Sequence, residues 1–180
     1  MLIFLMFCIM RRCLLYIFLL LSFSLYSQSY NKSFIMNVTQ EGNLYFIYDL
    51  KMKSQTDNVK SLKFDYTFVE SRDYVTLTAT CISKNVVSVD SLSLLLPTGC
   101  KFSNGVDKIY TERKSQWHTR FHCNIDYDFW MKMYDSDTPF QLVLLDKNGT
   151  QIIYEDSKKG WKKNKKKMQS IQEVISVNRE

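Results

Sequence analysis

The chain has two histidines, His118 and His122, and their four-residue spacing makes them the first candidates for metal chemistry. On a helix this spacing places both imidazoles on one face, where they could share a zinc ion. On a strand it separates them by about 13 Å, which is too far for shared zinc ligands. Residues 116–125 alternate between apolar and polar side chains, which indicates a strand. We therefore predict two histidines on a polar strand face, with no metal site and no cofactor.

Two pairs of aspartates, Asp126 with Asp128 and Asp135 with Asp137, are candidates for calcium because calcium binds carboxylate oxygens. An EF-hand loop also needs a central glycine and a glutamate at its twelfth position, and neither pair supplies them. A helix cap and a turn account for these residues more simply. Glycoside hydrolysis needs two carboxylates at a set separation, and a chain with 18 acidic residues contains such pairs by chance.

Nucleophilic catalysis would need a serine or cysteine beside a general base, and the chain has no GxSxG motif. Cys81 and Cys123 fall on apolar strand faces, where cysteine behaves as a small hydrophobic residue. Cys100 lies in a predicted loop, and a pair of Cys100 with His118 or His122 stays open. One disulfide from Cys100 to Cys81 or Cys123 and three free thiols are both compatible with the sequence. We name no catalytic residue, and a non-enzymatic role is favoured.

Seven lysines lie within residues 158–167, which we call the lysine segment. Its candidate contact residues are Lys158, Lys159, Trp161, Lys162, Lys163, Lys165, Lys166 and Lys167. One lysine near an anionic membrane contributes about 1 kcal/mol, so the segment could bind lipid headgroups, an acidic polysaccharide or an acidic protein patch. The alternative is a solvated helix edge with Trp161 packed on the sheet.

The length and composition of the chain indicate one globular domain, and its charge outside the lysine segment is close to zero. The chain has 180 residues, 46% of them hydrophobic and 23% charged, which suits one globular domain. The net charge is +6, but residues 28–157 contain 14 basic and 16 acidic residues. A body of nearly zero charge is unlike a nucleic-acid-binding surface, so we predict no nucleic-acid partner.

The N-terminus has the pattern of an export signal. Residues 13–26 are uncharged and apolar, Arg11 and Arg12 precede them, and a small residue stands before Gln28. We expect a signal peptide over residues 1–27, translation from Met10, and no transmembrane span after cleavage. The alternative is an N-terminal membrane anchor, which would place two arginines at the centre of the span.

The residues S-L-Y-S-Q at 24–28 resemble the ends of signal peptides in the Bacteroidota, where glutamine often begins the mature chain. The resemblance covers only these residues. It implies a bacterial source and a periplasmic or secreted location, and it implies nothing about fold or activity.

The body of the chain alternates with a period of two. In residues 61–69 the side chains of Leu62, Phe64, Tyr66 and Phe68 share one face, and residues 74–82 repeat the pattern. A four-residue turn between them predicts a hairpin. Other strand-like runs are residues 33–40, 43–50, 86–96, 106–110, 116–125, 140–145 and 150–154. These runs predict a mainly β protein, an antiparallel β-sandwich or barrel of about eight strands.

Helices are expected at two places. Asp126 could cap a short helix over residues 126–134. A C-terminal amphipathic helix is predicted with Met168, Ile171, Val174 and Ile175 facing the sheet or an open edge. Because lysines are unfavourable at a helix N-terminus, we expect this helix to begin at Asn164, after a mobile connector.

The domain organisation follows as residues 1–27 for the signal peptide, 28–157 for the β-domain, and 158–180 for the lysine segment with its helix. The favoured function is a non-enzymatic binding or accessory protein of the bacterial cell envelope, with an envelope protein, a glycan or an anionic surface as partner. Exposed Tyr45 and Ile47 would support an aromatic contact face. The alternatives are an envelope hydrolase that uses carboxylates on saccharide or peptide, and an electrostatic tether through the lysine segment.

Overall fold

The computed structural model describes residues 34–179. The expected signal peptide over residues 1–27, the start at Met10 and the cleavage before Gln28 lie outside these residues. One compact unit comprises Met36–Glu180 and therefore contains both the sheet and the C-terminal helix.

The described residues form ten strands and two helices. The strands are β1 (Phe34–Thr39), β2 (Gly42–Ser54), β3 (Val59–Val69), β4 (Tyr74–Ser83), β5 (Val89–Leu95), β6 (Lys101–Gly105), β7 (Asp107–Arg113), β8 (Trp117–Asp126), β9 (Gln141–Asp146) and β10 (Gln151–Glu155). The helices are α1 (Tyr127–Lys132) and α2 (Lys158–Arg179).

All ten strands belong to one sheet in the order β6-β5-β9-β10-β2-β3-β4-β8-β7, with β1 paired to β2. The sheet curls until its ends approach each other, and the side-chain amide of Asn104 on β6 donates to the carbonyl of Asn124 on β8 at 3.2 Å. The predicted mainly β, antiparallel architecture is confirmed as a sheet nearly closed into a barrel. The structure has ten strands instead of about eight, because β6 forms within residues 97–105, where a loop was expected.

The alternating residues of the central strands fill the barrel. The inner side chains of β3 and β4, including Leu62, Tyr66 and Leu77, are buried, as the period of two predicts. Trp130 of α1 packs edge-on against Tyr66, with ring centroids 5.8 Å apart. Asp126 caps α1 by accepting from the Phe129 amide at 2.9 Å, which confirms the predicted cap.

Helix α2 covers a weak seam in the sheet. Strands β2 and β10 pair at two positions only, Ser54 with Tyr154 and Lys53 with Glu155. Beyond them, the α2 ammonium of Lys167 donates to the Tyr48 carbonyl of β2 at 2.8 Å. The helix thus satisfies a backbone acceptor that the seam leaves open.

The buried side of α2 comprises Met168, Ile171, Gln172 and Ile175, together with Trp161. The prediction that Val174 faces the sheet is wrong, since 39% of that residue is exposed. The predicted start at Asn164 is also wrong, because α2 already begins at Lys158.

The early start of α2 has a local cause. The hydroxyl of Ser157 accepts from the Gly160 amide at 3.2 Å, in the manner of an N-cap. The neighbouring Asp156 carboxylate accepts from the Asn164 side chain at 2.6 Å and brings a negative charge to this end. A cap and a carboxylate offset the unfavourable lysines, so the lysine segment is helical and forms no separate connector.

Candidate functional site

The lysines of the lysine segment fall into two groups on α2: those exposed to solvent and those bonded to other parts of the chain. Five of its lysines are exposed to solvent: Lys158, Lys159, Lys162, Lys163 and Lys166. Lys165 instead forms an ion pair with Asp137 at 2.7 Å, and Lys167 bonds to β2. The ammonium of Lys165 holds the pKa of the Asp137 carboxyl below its ordinary value. The described part of the chain therefore offers a surface of five lysines.

Trp161 does not belong to that surface. It is 3% exposed and stacks on Tyr134, with ring centroids 5.4 Å apart, while its edge meets Phe140. Its indole nitrogen donates to the Ser136 carbonyl at 3.2 Å. Trp161 anchors the first turn of α2 in the core.

The predicted aromatic contact face on β2 is not present, because its two residues are buried. Tyr45 and Ile47 are both 0% exposed. The Tyr45 hydroxyl accepts from the Asn178 amide at 2.8 Å, so it lies between β2 and the end of α2. Neither side chain offers area to a partner.

His118 and His122 lie on the outer face of β8, as predicted for a strand. His122 Nε2 lies 3.6 Å from an Asp107 carboxylate oxygen on β7. Within residues 34–179, no three His, Cys, Asp or Glu side chains are grouped closely enough to hold a metal ion.

The cysteines divide as the alternation predicts. Cys81 and Cys123 are buried, Cys100 is exposed, and all three are free thiols. Burial raises the pKa of the Cys123 thiol to about 12 and raises that of Cys81 as well. These two thiols are poor nucleophiles at neutral pH, since the thiolate is the reactive form.

A groove on the outer face of the sheet, with a volume of about 520 Å³, was not predicted from the sequence. It lies over β2, β3, β4, β8 and β7. Its lining residues are Tyr48, Leu50, Lys51, Lys63, Phe64, Asp65, Thr80, Ile82, Tyr110, Lys114, His118 and Arg120.

Strand register explains why these residues meet. Lys51 pairs with Lys63, Lys63 with Thr80, Thr80 with Arg120, and Arg120 with Tyr110. They form one row across five strands, which at the usual strand spacing spans about 19 Å. We call these five residues the basic row.

A bulge in β2 places Lys51 in the basic row. Ile47 pairs with Tyr66 but Leu50 pairs with Phe64, so β2 advances three residues over the stretch in which β3 advances two. Without the bulge, Lys51 would share the inner face of Ile47. The bulge turns its side chain outwards.

The centre of the groove is held by Arg120. Its guanidinium donates to the Thr80 hydroxyl at 3.1 Å and to the Asp65 carboxylate at 3.2 Å. Burial raises the pKa of the Asp65 carboxyl above its ordinary value, and the charge of Arg120 opposes this rise only in part. The guanidinium is thus fixed between β3 and β4, and its Nη2 group is bonded to Asp65.

The groove carries an excess of positive charge. Among the side chains that the structure describes, its lining contains four cations, Lys51, Lys63, Lys114 and Arg120, and one carboxylate, that of Asp65. Glu112 offsets Lys114 through an ion pair at 2.9 Å. Among the described residues, Lys51 and Lys63 have no ion-pair partner. Two exposed ammonium groups therefore lie side by side, and no described carboxylate pairs with either of them.

Tyrosines stand at both ends of the groove. Tyr48 lies beside the β2 seam, and Tyr110 on the outermost strand is 40% exposed. An exposed phenol ring offers an apolar face and a hydrogen-bonding tip, which suits ligands with both kinds of surface.

A second cavity of about 360 Å³ is lined by Asp73, Asp126, Tyr127, Asp128 and Arg179. Arg179 pairs with Asp73 at 2.6 Å and lies over the Tyr127 ring, 4.1 Å from its centroid. Asp126 caps α1. These contacts fasten the end of α2, so we assign the cavity a structural role.

The fold and the groove define a class: a small antiparallel sheet curled almost into a barrel, with a helix over its seam and a basic groove on its outer face. Neither helix among the described residues is long and apolar enough to cross a membrane. Comparison of the chain with protein-family models, curated protein sequences and solved structures gives no match in any of the three.

Proposed function

We propose that this chain is a non-enzymatic binding protein exported to the bacterial cell envelope, periplasmic or secreted, and that its basic groove binds an acidic polysaccharide. The observation that carries the proposal is the pairing of Lys51 with Lys63 at the floor of the groove. Like charges directly opposite each other destabilise a sheet, typically by a few tenths of a kcal/mol. An anion that binds between them relieves this repulsion.

A saccharide chain suits the groove better than a flat surface does. The basic row is about 19 Å long by strand spacing and its residues line the groove, so an extended ligand can follow it across the five strands. Tyr48 and Tyr110 can stack on sugar rings while the lysines contact carboxylate, sulfate or phosphate groups.

The arrangement supports binding rather than hydrolysis. Hydrolysis of a glycosidic bond uses two carboxyl groups that flank the bond. The described lining of the groove contains one carboxyl group, that of Asp65, which is held by Arg120.

Calorimetric titration with a tetrasaccharide of galacturonic acid tests the proposal. We expect Lys51→Ala and Lys63→Ala each to weaken binding about 5- to 30-fold, since a charged hydrogen bond is worth about 1.5–3 kcal/mol with solvent exposure reducing it. Asp65→Asn should strengthen binding, because it removes a negative charge from the lining.

The matched control is Lys101→Ala, an exposed lysine on β6 that pairs with Leu95 outside the groove. An uncharged galactose tetrasaccharide provides the control for charge. Equal losses in Lys63→Ala and Lys101→Ala, or equal binding of the neutral sugar, would contradict the assignment of the groove.

A further inference from the structure

We infer that the groove continues onto helix α2, so that one polysaccharide chain occupies the basic row, passes Lys167 and then contacts a ridge of two exposed lysines, Lys163 and Lys159. This inference rests on the proposed function and adds to it a preference for long chains. The ridge supplies a second subsite for the same anionic ligand.

Tyr48 joins the two parts. It lines the groove, and its carbonyl accepts from the Lys167 ammonium at 2.8 Å. Lys167 therefore lies at the Tyr48 end of the groove. A ligand that leaves the groove past Tyr48 meets α2.

Helix geometry sets the direction of the ridge. Residues four apart lie on one side of a helix, about 6 Å apart along its axis. Four residues turn a helix by about 400°, so Lys163 and Lys159 lie about 40° and 80° around the axis from Lys167, which contacts β2, and both are exposed. The ridge extends about 12 Å beyond Lys167.

The other side of α2 faces elsewhere. Lys165 contacts the α1–β9 connection through Asp137 and the Asp135 carbonyl. Lys162 and Lys158 lie three and seven residues before Lys165, so they share its side. They are exposed like Lys159 and Lys163 and equal them in charge, but they lie about 140° and 180° around the helix axis from Lys167.

The charge of the helix fits an extended anion. From Lys158 to Gln172 the helix contains no acidic residue, and Glu173 is the first. A chain that already occupies the groove presents its next charges to the ridge at a high effective concentration. The ridge therefore raises affinity for long chains and leaves affinity for short ones unchanged.

The test compares galacturonic acid oligomers of four and twelve residues, bound to the full chain at about 0.15 M salt, where surface charges act over about 8 Å. We expect the twelve-residue oligomer to bind at least 10-fold more tightly than the tetramer. The double variant Lys159→Ala/Lys163→Ala should lose that advantage and keep its affinity for the tetramer. The matched double variant Lys158→Ala/Lys162→Ala should retain both affinities within about 2-fold, since it removes equal charge from the other side.

Other outcomes overturn the inference. Equal losses in the two double variants would mean diffuse attraction without a track, and equal affinity for both oligomers would mean that no second subsite exists. In either case binding of the tetramer would leave the groove assignment intact, whereas no binding of either oligomer would refute the proposed function itself. Tight binding to vesicles of anionic phospholipid, lost equally in both double variants, would assign the lysines to a lipid surface instead.

Discussion

Lys51 on β2 and Lys63 on β3 are direct cross-strand partners, and both side chains are exposed on the outer face of the sheet. Two ammonium groups so placed repel each other in the free protein. Sites that bind anions commonly contain adjacent cations, because the same charges that attract the ligand lower the stability of the free protein. The repulsion between Lys51 and Lys63 can therefore be tested through the free energy of unfolding, without knowledge of the ligand.

Replacement of Lys63 by threonine should stabilise the free protein. The change removes the repulsion with Lys51 and introduces a residue favoured in strands, so we expect a gain of about 0.2–1 kcal/mol in the free energy of unfolding. Urea titration measures it, with Lys101→Thr as the control for strand propensity. A gain in both variants alike, or a loss in Lys63→Thr, would speak against repulsion at this pair. The gain should shrink at 1 M salt, where the screening length falls to about 3 Å.

Asp65 should make stability depend on pH. Since burial raises the pKa of its carboxyl in the folded state, ionisation of Asp65 disfavours that state. This cost is absent below the ordinary carboxyl pKa of about 3.9, and it grows as the pH rises through the higher pKa of the folded protein.

Asp65→Asn removes this titration. We expect the variant to match the parent protein near pH 3 and to exceed it in unfolding free energy at pH 7. Chemical unfolding at a series of pH values measures the difference. Asp90→Asn, at an exposed position of β5, controls for the loss of one negative charge. A difference that stays constant from pH 3 to pH 7 would show that Asp65 is not the titrating group.

Trp161 should be essential for stability although its neighbours are surface lysines. Truncation to alanine leaves a cavity beside Tyr134 and Phe140, and such changes cost about 3–5 kcal/mol. Lys162→Ala next to it should cost less than about 0.5 kcal/mol. Urea unfolding followed by circular dichroism compares the two. Similar small effects would mean that the start of α2 does not pack on the core.

The cysteines should differ sharply in reactivity. With iodoacetamide at pH 8, we expect alkylation of exposed Cys100 and protection of buried Cys81 and Cys123, whose thiol pKa values are raised. Mass spectrometry of peptides assigns each site. In denaturant all three should react, which serves as the control. Alkylation of Cys123 at the rate of Cys100 in the native protein would contradict the buried position.

Much of the fold could be predicted because alternation reports burial directly. Leu62, Tyr66 and Phe68 are apolar at every second position, and each is buried on the inner face of β3. The same reasoning failed at β6, whose residues are mostly polar and exposed because this short strand pairs at the rim of the sheet with β5. Alternation disappears where neither face of a strand is covered.

The start of α2 shows a second limit. The cap is local, because Ser157 and Asp156 directly precede the lysines and bond to Gly160 and Asn164 within the first turns. The burial of Trp161 against Tyr134 depends on the folded structure instead. Three favourable features of that turn, the cap, the carboxylate and buried Trp161, outweigh a repulsion worth several tenths of a kcal/mol.

The groove could not be assembled from the sequence, although its parts were visible there. Lys63 and Arg120 stand at polar positions of recognisable strands, but their alignment in one row depends on the register of β3, β4 and β8. The outward position of Lys51 could not be predicted for a further reason. Simple alternation from Tyr45 puts it on the inner face, and only the bulge reverses it.

The sequence by itself determined the mainly β class, the cap of α1, the amphipathic C-terminal helix and the concentration of positive charge in residues 158–167. These properties depend on residue types at short, regular spacings, which local geometry converts directly into structure. The tertiary structure alone decided that Trp161 is an anchor, that Tyr45 and Ile47 are core, and that cations from separate strands line one groove. Such properties depend on which segments pair and in what register, and distant parts of the chain fix these only when they pack together.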